Sequence, residues 1–117
     1  MSNTTTDTAA ANYPARHALL KLIEERRQLT ERVDAAAITA LREHGALRYP
    51  DATTLLLDSN GYPDEYVLHS VLTGDGSPAA GNANLAEDDD LHDVVGNLPR
   101  TAIRYDKAAN LWKVALR

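Results

Sequence analysis

Four side chains, His17, His44, His69 and His92, can exchange protons near neutral pH. None lies in a His-x-His or His-x-x-x-His pair. Asp88 and His92 are four residues apart, a spacing that puts a carboxylate and an imidazole on one helix face, where they could share a divalent ion. The Asp88–Asp90 run lacks the alternating ligands, central glycine and twelfth-position glutamate of a calcium loop. His69 falls between Val67 and Val71 in a strand-like segment and reads as a packed or edge residue, not a base. His17 and His44 fall near the two ends of a helical segment and are expected to be exposed.

Nucleophile patterns are missing. The chain has no cysteine, which excludes disulfides, thiolate nucleophiles and cysteine-based metal sites. It has no Gly-x-Ser-x-Gly, and Ser59, Ser70 and Ser77 have no base at a recognisable spacing. Gly74-Asp75-Gly76 has no following lysine and an acidic neighbourhood, so it cannot cradle phosphate. No catalytic residue, metal ligand or cofactor is assigned, and the chain is expected not to be an enzyme.

Charge is the more informative signal. Residues 50–99 contain Asp51, Asp58, Asp64, Glu65, Asp75, Glu87, Asp88, Asp89, Asp90 and Asp93 but no lysine or arginine. Residues 100–117 carry Arg100, Arg104, Lys107, Lys113 and Arg117 against Asp106 alone, within a formal net charge of −5. Solubility and anion-favouring helix starts would account for such an acidic run. An acidic face that steers a basic partner protein is the other account of it. Asp64, Glu65, Glu87, Asp88, Asp89, Asp90 and Asp93 are the candidate partner-binding residues. A cationic stripe on the last hairpin suggests the alternative, a regulator that touches nucleic acid, although a pI near 5.2 argues against it.

These groups must be positioned by a small chain of 117 residues, room for one domain. Residues 1–13 are small and polar and read as a flexible tail ahead of a single domain over 14–117. From Ala15 to His44 there is neither glycine nor proline; Pro14 suits a first helical turn and Gly45 a helix end. Apolar residues recur there at helical spacing, and Arg27 and Glu31 dress the opposite face. Thirty helical residues would span about 45 Å, more than the diameter of so small a domain, so the helix must break or pair with a second copy. Leu19, Leu22, Leu29, Val33 and Ala40 follow a heptad-like spacing interrupted by Arg26, and form the candidate self-association surface of a possible homodimer.

Thr53–Leu57 and Glu65–Thr73 read as a hairpin around Asn60-Gly61. In the second strand Tyr66, Leu68 and Leu72 alternate with Val67 and Val71. Apolar groups on both faces predict a central strand. Asn84 and Glu87 have capping-box spacing before a short helix over Leu85–Val95. Thr101, Ile103 and Tyr105, then Trp112, Val114 and Leu116, alternate as a second hairpin. The expectation is an α+β fold: a long N-terminal helix, a β-hairpin, a short helix and a β-hairpin, with the strands forming one antiparallel sheet of about four. Without a signal-peptide pattern at residues 1–12 or a membrane-length apolar run, the chain is expected to be cytoplasmic. The function these features suggest is a small interaction or inhibitor-type module, physically akin to immunity proteins, antitoxins and anti-defence inhibitors by class only.

Overall fold

The computed structural model describes residues 13–59 and 65–117. The expected tail lies outside them save for exposed Tyr13, as do the Asn60-Gly61 turn and Asp64. By compactness the chain divides into one unit ending at Val33 and another spanning Asp34–Arg117.

The α+β class is as expected. Helix α1 (Pro14–Arg48) is one continuous helix of 35 residues, without the break that is one of the two outcomes its length allows. Gly45 lies inside the helix and does not end it. A Cβ there would stand 3.5 Å from the Cβ and Cδ2 of Leu116, in ordinary van der Waals contact. Ala37, Leu41 and Gly45, spaced by four, are the buried residues of α1. Every residue over 14–33 is exposed.

In the second unit, β1 (Thr54–Ser59), β2 (Tyr66–Leu72), β3 (Ile103–Asp106) and β4 (Leu111–Ala115) form an antiparallel sheet of order β2-β1-β4-β3. Both expected hairpins are present, and β4 joins them by pairing with β1. One transverse row, Val71–Leu55–Val114–Ile103, forms the floor of the core. Leu41, Leu85, Leu91, Val95 and Leu116 pack with it. Leu55, Leu57 and Leu91 are fully buried, and each such side chain contributes about 1.5–3 kcal/mol relative to exposure. A second row places Trp112 edge-on to Tyr105, with ring centroids 5.2 Å apart, and Trp112 also meets Tyr66 at 5.8 Å.

The second strand departs from its expected position. It is an edge strand, and a β-bulge explains why its pattern suggested otherwise. Leu56 opposes Ser70 while Leu57 opposes Leu68, so His69 is the extra residue. The bulge moves Tyr66 and Leu68 onto the core side with Val71 and leaves Val67 46% exposed. The outer edge of β2 is shielded by residues 77–82. The Val71 amide donates to Asn82 Oδ1 at 2.8 Å, and the Val71 carbonyl accepts from the Ala79 amide at 2.9 Å.

The expected short helix is also divided. Asn82–Glu87 is a 3₁₀ turn, and helix α2 (Asp89–Gly96) starts anew, capped by Asp88, whose Oδ1 accepts the Leu91 amide at 3.0 Å. The capping residue is Asp88, not Asn84. Helix α2 packs on β2, with Leu91 and Val95 inward. A further 3₁₀ turn, Arg100–Ala102, takes up the start of the third expected strand.

Candidate functional site

Buried polar chemistry concentrates around Asp88. Its Oδ2 accepts a hydrogen bond from the Tyr49 hydroxyl at 2.6 Å and meets His44 Nε2 at 2.7 Å, while Oδ1 caps α2. The Asp88 side chain is 7% exposed and that of His44 15% exposed. Burial alone would push the Asp88 carboxyl up. Hydrogen bonds from Tyr49, His44 and the Leu91 amide outweigh it and hold the carboxyl below the usual carboxylate range. The Tyr49 phenol is pushed up, first by burial and then by the anionic Asp88 beside it.

Three segments meet here. The last turns of α1 bring His44, the chain after the helix brings Tyr49, and the break between the 3₁₀ turn and α2 brings Asp88. Gly81 makes the approach possible. Its φ is +88°, and a Cβ there would come within 3.1 Å of the Tyr49 ring.

A His–Asp hydrogen bond recurs in many catalytic sites because a carboxylate orients and stabilises an imidazolium. Here, among the described residues, no hydroxyl is hydrogen-bonded to the other ring nitrogen of His44. The tyrosine is engaged with the same carboxylate. The arrangement joins α1, the sheet entry and α2 through one charge. His44, expected to be exposed, is half-buried, and Asp88 pairs with it and not with His92. Among the described residues no group of three His, Asp or Glu could hold a metal ion.

The candidate partner-binding residues divide according to position. Glu87, Asp89, Asp90 and Asp93 come together on α2 and the turn before it, all exposed, with no ion pair among the described residues. Glu65 is exposed just before β2. Asp88 is turned into the protein and is committed to three donors, so it does not share their surface. Three other acids hold local backbone: Asp51 accepts the Ala80 amide, Asp58 the Ser59 amide and Asp75 the Ser77 amide.

The cationic end is not uniform. Arg117 donates to the Ala52 carbonyl at 3.1 Å and also to the Pro50 carbonyl, fixing the chain end beside β1. Arg104 and Lys113 are directly opposed across β3 and β4, and neither makes an ion pair or side-chain hydrogen bond among the described residues.

The candidate self-association residues lie along α1. Leu19, Leu22, Leu29 and Val33 are 55, 60, 56 and 41% exposed, and Ala40 is half-buried. Leu20 and Ile23 widen the apolar stripe beyond the heptad positions, at 47 and 40% exposed. On the same stretch Arg27 bridges Glu24 and Glu31, each at 2.5 Å. Such exposed pairs contribute little stability.

No protein-family model matches this chain, nor does any curated protein or solved structure. No described helix is long and apolar enough to cross a membrane.

Proposed function

We propose that the protein is a non-catalytic interaction module that presents the acidic surface of α2 to a basic protein partner. The observation that carries this reading is the separation of its charges. Among the described residues the ion pairs are those of Arg27 with Glu24 and Glu31, and of His44 with Asp88. No acidic group of α2 or of the turn before it is neutralised by a lysine or arginine in these pairs. Glu87, Asp89, Asp90 and Asp93 are all exposed on α2 and the turn before it, and the fields of like charges add where they lie within a Debye length, roughly 8 Å at physiological salt. A patch of one sign accelerates encounter with a partner of the other sign and disfavours like-charged competitors.

The test is affinity capture from cells that natively make the protein, comparing the wild type with Glu87→Gln, Asp89→Asn, Asp90→Asn and Asp93→Asn combined. The reading expects basic proteins whose retention falls as ionic strength rises and is lost in the combined variant. Equal retention by both forms, or retention indifferent to salt, would reject it.

Self-association through α1 is supported by a separate observation. Six large apolar side chains, Leu19, Leu20, Leu22, Ile23, Leu29 and Val33, are exposed along 15 residues of helix. Helices draw most of their stability in water from burying such a stripe, and a second copy offers the matching one. Light scattering should then give twice the 12.7 kDa chain mass, reverting to one chain in Leu22→Asp/Leu29→Asp. Wild-type protein that scatters as a single chain at micromolar concentration would refute the dimer.

A further inference from the structure

We infer that the second unit carries a binding cleft for a small organic anion, a phosphate monoester or carboxylate attached to an apolar group. Its walls come from the later turns of α1 and from the β3–β4 hairpin. The cleft has a volume of about 520 Å³, within the span of small-molecule sites, roughly 300–1,000 Å³. Ile38, Leu41 and Val114 contribute apolar lining, and Arg42, Arg104 and Lys113 line it with positive charge. Thr101 adds a hydroxyl beside them.

The charge arrangement points to a ligand. Arg104 and Lys113 occupy directly opposed positions on adjacent antiparallel strands. Like charges so placed repel and destabilise the sheet. A sheet that needed only solubility would relieve them with a nearby carboxylate, as Arg27 is relieved by Glu24 and Glu31. Here no relief is present among the described residues, and Arg42, equally without an ion pair or side-chain hydrogen bond, adds a third cation. An anion bound among the three would convert the repulsion into charge-assisted hydrogen bonds, for which the planar guanidinium forks of the two arginines are suited.

The apolar lining selects among anions. Leu41 and Val114 are both 1% exposed and form the core floor of the cleft, while half-buried Ile38 and Ala102 and exposed Ala115 give it an accessible apolar wall. A bare inorganic ion would leave that wall uncovered, whereas an aryl or alkyl substituent would cover it. A duplex nucleic acid needs an extended basic face. Arg117, at the end of the same hairpin, is instead occupied by the Ala52 and Pro50 carbonyls.

The experiment is an amide-resolved NMR titration of the full chain with phenyl phosphate, benzoate, inorganic phosphate, phenol and a short DNA duplex. Saturable shifts at Thr101, Ala102, Arg104, Lys113 and Ala115 are expected with phenyl phosphate or benzoate, whichever headgroup the site prefers, and only weak ones with inorganic phosphate or phenol. Arg104→Gln/Lys113→Gln, at exposed positions, should keep a native spectrum and lose at least about tenfold in affinity. The combined acidic variant of α2 should bind as the wild type does, which separates this inference from the proposed partner surface. Absence of saturable shifts with either organic anion would overturn it. So would inorganic phosphate binding as well as phenyl phosphate, or undiminished binding by the double variant. DNA shifting these amides at lower concentration than phenyl phosphate would replace the small anion with a nucleic acid.

Discussion

Replacing Asp88 with alanine removes three interactions at once, so its cost can be assembled from the structure. The α2 cap accounts for about 1 kcal/mol, a typical penalty for an N-cap changed to alanine. The Tyr49 and His44 hydrogen bonds go to a charged acceptor in a mostly buried setting, where each is worth about 1.5–3 kcal/mol. His44 keeps some exposure, so water can take over part of what it loses. The three interactions also share one side chain and are not additive. A loss of about 3 kcal/mol is therefore expected, a large share of the 5–15 kcal/mol typical of a domain. Urea denaturation followed by far-ultraviolet circular dichroism and Trp112 fluorescence would measure it. The midpoint should move strongly for Asp88→Ala but hardly at all for Asp89→Ala, Asp90→Ala or Asp93→Ala, whose side chains face water. A loss below about 1 kcal/mol, or an equal one at Asp90, would refute the assignment of Asp88 as the junction of the unit.

The same cluster contributes a pH dependence to stability at both extremes. Because the folded carboxyl of Asp88 is held below its unfolded value, its contribution is complete above the unfolded pKa and is lost as pH falls through the folded one. The Tyr49 phenol is shifted the other way, so its contribution is present below its unfolded pKa and disappears as alkali ionises it. Thermal melts across pH should show a plateau bounded on both sides, with the acid limb reduced in Asp88→Asn. At the sheet edge, Asn82→Ala removes the acceptor of the Val71 amide and should cost about 1–2 kcal/mol by chemical denaturation. It also uncovers β2, so light scattering on storage should rise above that of the wild type.

Much of the fold could be read from local pattern. The alternation of Ile103 and Tyr105, then Trp112 and Val114, marks β3 and β4 because one face is buried and the other is wet. The β1 and β2 segments were equally legible, yet the place of β2 at the edge was hidden. A single extra residue at His69 changes which side chains share a face, and period-two reasoning has no signal for a bulge. The helix start failed for a related reason. Asn84 and Glu87 have the right spacing, but the chain uses Asp88, whose carboxylate gains from His44 and Tyr49 as well as from the helix. Those partners lie 44 and 39 residues away in sequence, and no motif announces them. That Arg104 and Lys113 share a face, opposite Ile103 and Trp112, follows from the alternation of the last hairpin, whereas their direct opposition needs the register. What the sequence could not show was Arg42 beside them, which needs the path of α1.

The seam between β1 and β4 has a consequence for how the chain reaches this state. Each hairpin can zip from its own turn, but a two-stranded ribbon alone is marginal in water. The Leu55–Val114 contact closes a loop that contains β2, α2 and β3, and the entropy of that closure must be met before the core repays it. Folding should therefore be all-or-none across residues 54–115, limited by docking of the two ribbons. A cut that separates them would leave two unstructured fragments and no half-sheet.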